Sequence, residues 1–396
     1  MTEVLPSAGF LLAGAAERHA GYAGLRGNGP VQPVVLRSGD TGWLVTGFEA
    51  ARQALTDPRL EPRTATVGNR RNMPEDLRLG MNSHMLNVGP PDHTRLRRLV
   101  SAAFTRRRME RMRPRVESLT AELLDALEDA AEADLIGALA LPLPIRVLIE
   151  LFGIPEEDAA DFHGWTEVLT AGALPLDRLD EAATQMLGYI RSLLERKRRA
   201  PQADLLSALV AVHDGEDRLT AHELTSMVFL LLTAGHETTV NLIGNGLLAL
   251  LSDPERLAAV RADPGLLPGT VEETLRYESP VQIALRYSTE PVELGGVAIP
   301  EGATVLVSLL AANRDPERFA RPDEMIPSRT DNPQLGFGYG VHHCIGAPLA
   351  RIEGTTAIGA VLERFPGLRL AAPPESLTWR SSVIMHGLDA LPVRLR

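Results

Sequence analysis

The sequence predicts a mainly α fold with small β-sheets (α+β), closed into a single domain over residues 1–396 around a long central helix. Helix-spaced leucines dominate residues 92–265, among them Leu119, Leu123, Leu124 and Leu127, then Leu187, Ile190, Leu193 and Leu194. Strand-like runs are confined to the two sequence ends, which predicts that the ends meet in one domain. One stretch of thirty-odd residues is apolar on nearly all sides, so it should be a buried helix crossing the whole domain.

In chain order, Val31 to Leu36 and Trp43 to Thr46 read as a hairpin around Ser38-Gly39-Asp40-Thr41-Gly42. Phe48 to Leu55 reads as a helix stopped at Asp57-Pro58. Residues 61–91 carry Pro62, Gly68, Pro74, Gly80, Gly89, Pro90 and Pro91 and read as irregular, either a functional lid or a surface excursion. The central helix starts at the capping box Thr220-Ala221-His222-Glu223 and ends at about Ser252, before Asp253-Pro254. Strand signals return at Val292 to Ile299, Thr304 to Val307 and Ser382 to Arg396.

Composition narrows the function. Forty basic against 51 acidic residues give a net charge of −11, which argues against a general nucleic-acid binder or a binder of anionic membranes. No apolar run is long enough for a membrane anchor and no signal peptide is legible, so a cytoplasmic location is expected. Cys344 is the single cysteine, which excludes an internal disulfide and multi-cysteine metal sites. It is either a small buried hydrophobe or a chemical centre.

The surroundings of Cys344 favour the second. In Phe337-Gly338-Tyr339-Gly340-Val341-His342-His343-Cys344-Ile345-Gly346, two glycines allow a tight loop, and Gly346 allows close approach of a flat ligand. A helix begins just after, and its N-terminal amides favour a thiolate, which suits an axial iron ligand.

This segment resembles the haem-binding loop of the cytochrome P-450 family, with His342 at the family's basic position. Two more signatures agree. Glu273-Thr274-Leu275-Arg276 resembles the Glu-x-x-Arg pair, with Arg329 where its third partner is expected. Ala234-Gly235-His236-Glu237-Thr238-Thr239 resembles the oxygen-activation motif. The resemblance covers nearly the whole chain and is strongest to biosynthetic actinobacterial members. The stretch Met325-Ile326-Pro327-Ser328-Arg329 departs from the more usual Phe-containing sequence.

The resemblance implies a haem-thiolate monooxygenase with haem b (iron protoporphyrin IX) ligated by Cys344. His93, Arg97, Arg286 and His342 would hold the propionates, and Phe337, Gly338 and Gly346 would frame the sulfur. Taken alone, His93 and Arg97 read better as a surface helix face. Ala234 and Gly235 would make room for O2, Thr238 would hold a water, and Glu237 would relay protons. Met85, Leu86, Leu230, Thr233, Gln282, Ile283, Ala284, Ile384 and Met385 would line the substrate pocket. Glu273, Arg276 and Arg329 would be structural.

No flavin or nicotinamide fingerprint is present, so electrons should come from a ferredoxin and its NAD(P)H-dependent reductase. Arg106, Arg107, Arg108, Arg111, Arg113 and Arg115 are a candidate docking patch, or else a solvated helix face. The expected reaction is hydroxylation or epoxidation of a lipophilic secondary metabolite, such as a macrolide, polyketide, terpenoid or peptide in antibiotic biosynthesis. Oxidative coupling, ring formation, desaturation, or a non-catalytic haem-binding module are the alternatives.

Overall fold

The computed structural model describes residues 5–62, 73–170, 175–213 and 219–396. The helices are α1 (Ala15–Arg26), α2 (Phe48–Thr56), α3 (Glu75–Asn82), α4 (Asp92–Ala103), α5 (Arg106–Asp125), α6 (Pro142–Phe152), α7 (Ala159–Thr170), α8 (Leu176–Arg199), α9 (Leu205–His213), α10 (Ala221–Leu251), α11 (Pro254–Ala262), α12 (Leu267–Tyr277), α13 (Leu309–Ala312) and α14 (Ala347–Arg364). The strands are β1 (Val31–Val35), β2 (Thr41–Val45), β3 (Leu60–Pro62), β4 (Glu132–Asp134), β5 (Ile283–Ser288), β6 (Val292–Leu294), β7 (Val297–Ile299), β8 (Thr304–Ser308), β9 (Arg369–Leu370) and β10 (Pro392–Arg394). This is the mainly α architecture with small sheets that the sequence predicts.

The central helix is α10, 31 residues long. At 1.5 Å per residue it spans about 46 Å. Its capping box is formed: the Thr220 amide donates to Glu223 Oε2 at 2.7 Å and the Glu223 amide to Thr220 Oγ1 at 3.1 Å. Arg95 of α4 holds the same carboxylate from outside. Nearly every position of α10 is buried, because helices α3, α6, α12 and α14 pack around it. No helix among the described residues is long and apolar enough to cross a membrane.

One five-stranded sheet has the order β1-β2-β8-β5-β3, with β2 and β8 parallel and the other pairs antiparallel. It joins the N-terminal strands to β5 and β8. The expectation that the sequence ends meet therefore needs correction in detail. The C-terminal strand β10 pairs with β9 and with mid-chain β4, Val393 opposite Ala133. Residues 382–391, expected as strand, form a turn with isolated bridges Val281↔Met385 and Trp379↔Leu388, since the His386 amide donates to the Pro280 carbonyl, the Gln282 amide to the Ile384 carbonyl, and the Ile384 and Met385 amides to Ser382 Oγ. The Val292 to Ile299 run is two strands turned at Gly295 and Gly296, both at positive φ.

The stretch read as irregular also contains structure. Residues 63–72 lie outside the described residues, but 75–82 form α3, entered through Pro74. Gly80 does not break that helix. A Cβ there would stand 2.8 Å from Leu187, so the glycine lets α3 lie close on α8.

Candidate active site

The loop before α14 is set by its glycines. Gly338 and Gly340 sit at φ 74° and 73°, a region L-residues avoid. The turn closes as the Cys344 amide donates to the Phe337 carbonyl at 2.8 Å. Phe337 is pinned by the Arg351 guanidinium 4.7 Å above its ring, and Arg351 pairs with Glu272 at 2.5 Å. Cys344 has exposed surface, and the cavity it lines receives that exposure. Burial within the protein pushes its thiol up. The amides of Gly346 and Ala347 and the charges of Arg97 and Arg351 pull it back towards the thiolate.

The cavity measures about 350 Å³ and lies between α10 and the cysteine loop. Ala234, Gly235 and Thr238 line it from α10; Phe337, Gly338 and Gly346 line it beside Cys344. Thr238 donates its hydroxyl to the Ala234 carbonyl at 3.1 Å, which leaves its oxygen as an acceptor. Met85, Leu86, Leu230, Ile283, Ala284 and Ile384 all contribute to the wall.

Three expected pocket residues do not line it. Gln282 is fully buried elsewhere, because its amide has three partners: it accepts from the Tyr22 hydroxyl at 3.1 Å and donates to the Leu11 and Ser382 carbonyls at 3.1 and 2.6 Å. Thr233 turns its hydroxyl to the Phe229 carbonyl at 2.9 Å. Met385 bridges to Val281. Leu148 and Phe152 of α6, Leu242 and Leu285 are wall residues the sequence reading missed, since an apolar helix face reads as ordinary core.

Arg97, Arg286 and His342 line one side, and His93 lies behind His342 with ring centroids 4.2 Å apart. Strand pairing fixes Arg286, opposite Pro62 in β3. Burial pushes Arg286 down to about 10, with no carboxylate to oppose it. Burial, with His93, Arg286 and Arg97 nearby, pushes His342 down to about 3. Both ring nitrogens of His93 and Nδ1 of His342 are buried without a partner. Four donors gathered on this side of the cavity, with no carboxylate acting on them among the described residues, are what a dianionic ligand needs.

Glu237 is buried and is not among the residues that line the cavity. Its Oε1 accepts from Arg380 Nη1 at 2.9 Å. Burial raises its carboxyl above the ordinary value, and Arg380 opposes the rise. Arg380 lies 143 residues away in an irregular segment, so no local sequence signal could have found it.

Behind the loop, Glu273 and Arg276 pair at 2.8 Å, both fully buried. Arg329 Nε joins the same carboxylate at 2.9 Å, as does the Ile326 amide at 2.8 Å. Arg276 also donates to the carbonyls of Asn313, Pro322 and Glu324. The divergent 325–329 stretch is thus tied to α12 by the same acid. Helix α5, with the arginine cluster, packs along α14. Arg113 pairs with Glu110, Arg115 with Glu150, and Arg108 donates to the Ala103 carbonyl; Arg106, Arg107 and Arg111 are exposed.

A family model described as cytochrome P450 (hereafter cytochrome P-450) matches residues 176–264 and 265–386. The 6-deoxyerythronolide B hydroxylase of Saccharopolyspora erythraea is 45% identical over 94% of this chain and 95% of its own. The monooxygenase PikC of Streptomyces venezuelae is 47% identical over 96% of this chain and 92% of its own. The solved structure of the ligand-free monooxygenase TamI superposes with a TM-score of 0.87 at 45% identity, over 98% of this chain and 92% of that one.

Proposed function

Because the chain belongs to the cytochrome P-450 family and is a monooxygenase of that family, we propose that it oxidises a bulky macrolide- or polyketide-like metabolite in the cytoplasm, with electrons from a ferredoxin system. The observation that carries the reading is that one cavity is lined by both Cys344 and Thr238, with a mostly apolar wall.

Family members bind haem b, and the residues present fit it. Cys344 would hold the iron, while buried His93 and Arg286 and half-buried Arg97 and His342, with no carboxylate acting on them among the described residues, would hold the propionates. The chemistry the haem supplies when bound is insertion of one atom of O2 into a C–H or C=C bond, the other leaving as water with two electrons and two protons.

The chain's own residues serve that chemistry. The loop amides and Arg97 favour the thiolate form of Cys344 against the burial that raises its thiol. Ala234 and Gly235 leave space beside α10. Thr238 offers an acceptor oxygen to a water or a reacting group in the cavity, and Glu237, whose carboxyl is raised by burial and opposed by Arg380, stands one residue before it. The wall excludes bulk water and orients an apolar substrate. Exposed Arg106, Arg107 and Arg111, with exposed Val341 on the cysteine loop, support docking of an acidic electron carrier.

The test is a spin-state titration of the haem-loaded protein against macrolide aglycones, linear polyketides, fatty acids and charged peptides. A low-to-high-spin shift with the first two, followed by oxygenated product when a ferredoxin and its reductase are supplied, is the expected result. Shifts confined to the charged peptides would overturn it.

A further inference from the structure

The hairpin at residues 379–388 touches both the cavity and the buried acid of α10. Trp379 and Leu388 form its base as an antiparallel bridge, and the Arg380 amide donates to the Gly387 carbonyl at 2.9 Å. At its tip, Ser382 Oγ accepts from the amides of Ile384 and Met385 at 3.2 and 3.0 Å. The hairpin is sewn to the preceding chain. The Gln282 amide donates to the Ile384 carbonyl at 2.8 Å, and the His386 amide to the Pro280 carbonyl at 2.8 Å.

Gly387 lets this hairpin reach α10. A Cβ there would fall 1.9 Å from Asn241 Oδ1, one turn beyond Glu237 on the same helix. With that contact made, Arg380 stands over Glu237 at 2.9 Å and Ile384 enters the cavity wall. One hydrogen-bonded unit therefore carries both a residue of the cavity wall and the cation that pairs with the acid. Arg380 is the charged group acting on Glu237 among the described residues. The neighbouring His236 turns Nδ1 to the Leu232 carbonyl at 3.2 Å, and α6 presents the apolar Leu148 to Gly235. His386, on the hairpin itself, is engaged by Glu278 and Arg18. The Arg380 side chain is 26% exposed and its partner 10%, so the pair spans the boundary between solvent and interior.

We propose that this hairpin couples filling of the cavity to proton supply: Arg380 is a positioning residue that holds Glu237 as an outward-facing carboxylate, and an occupant pressing on Ile384 shifts Arg380 and releases it. The proton balance closes. The released carboxylate takes a proton from solvent beside Arg380, passes it to the Thr238 side of the cavity, and returns to Arg380 as a carboxylate. This rests on the site reading proposed above, but its test needs neither substrate nor electron donor.

The experiment is an infrared pH titration of the haem-loaded protein, following the carboxyl band that Glu237→Gln removes. Arg380→Gln should keep that carboxyl protonated to a pH about 1–3 units higher than in the parent protein, the size expected for loss of one adjacent opposite charge. Arg380→Lys should restore the parent titration. Seating phenylimidazole, seen independently as a Soret shift, should move the parent titration towards that of Arg380→Gln, and Ile384→Ala should abolish this movement. Coincident titrations of the parent and Arg380→Gln would overturn the proposal, as would a parent titration unmoved by the seated probe. Absence of any Soret shift would overturn the reading of the cavity itself, and the proposal with it.

Discussion

His93 of α4 and His342 of the cysteine loop meet with ring centroids 4.2 Å apart and no carboxylate between them. Burial lowers both rings, with Arg97 adding to it at His93 and His93, Arg286 and Arg97 adding to it at His342. Without an anion this cluster is a cost to the fold. The unfolded chain binds a proton at His342 below the ordinary pH 6.5, whereas the folded chain waits until about 3. Stability of the haem-free protein should therefore fall as pH drops from 6.5 towards 3.

The same cluster makes opposite predictions for the two forms of the protein. Arg286→Leu should speed haem transfer to apomyoglobin about tenfold or more, since a charge-assisted hydrogen bond contributes about 1.5–3 kcal/mol. In the haem-free protein the same change removes a buried, unpaired cation and should raise the urea midpoint. If Arg286 were a structural cation, both forms would weaken, and that result would sink the assignment.

Among the described residues Thr238 hydrogen-bonds to the Ala234 carbonyl alone, and it lines the cavity. Thr238→Ala should leave substrate binding and haem content unchanged while NAD(P)H consumed per product rises several-fold. The measurement is cofactor oxidation against product by chromatography. Unchanged coupling would mean the hydroxyl serves only the helix.

Glu273 holds two arginines, and Arg276 has no exposed side-chain surface. Glu273→Gln leaves both cations without a counter-charge and should cost about 3–5 kcal/mol in urea unfolding. The neighbouring Glu272 pairs with Arg351 at partly exposed positions, 31% and 41%. Glu272→Gln should therefore cost under about 1 kcal/mol. Equal costs would contradict the contrast in burial.

What the sequence made legible was local. The capping box at Thr220 and Glu223, the glycine-framed Cys344 and the i,i+3 pair of Glu273 with Arg276 each lie within a few residues, so composition and spacing carry them. Partners distant in sequence were hidden. Nothing near Glu132–Asp134 announces pairing with Pro392–Arg394, and nothing near Glu237 announces Arg380. Gln282 shows a different failure. Its position in the family's pattern suggested a wall residue, but a buried amide goes where its hydrogen bonds can be met, here on Tyr22, Leu11 and Ser382. Gly80 and Pro74 read as breakers, although one permits a close helix contact and the other begins the helix.

Glu353 carries the last prediction. It lies on α14, 2% exposed, on the cavity wall, with Oε2 lacking any partner. Burial alone pushes its carboxyl from 4.5 up to about 8, so at neutral pH it is an uncharged acid. Between pH 4.5 and 8 the unfolded chain has released this proton and the folded chain keeps it. Stability must therefore fall as pH rises through that window. Glu353→Gln keeps the shape and removes the titration. Its advantage in unfolding free energy should be small near pH 4 and grow by about 1.4 kcal/mol per pH unit up to about 8. Urea unfolding of the two proteins across that range measures it. Parallel curves would mean the carboxylate is stabilised by a partner in solution, whereas a widening gap identifies Glu353 as a neutral acid facing the same cavity as Cys344.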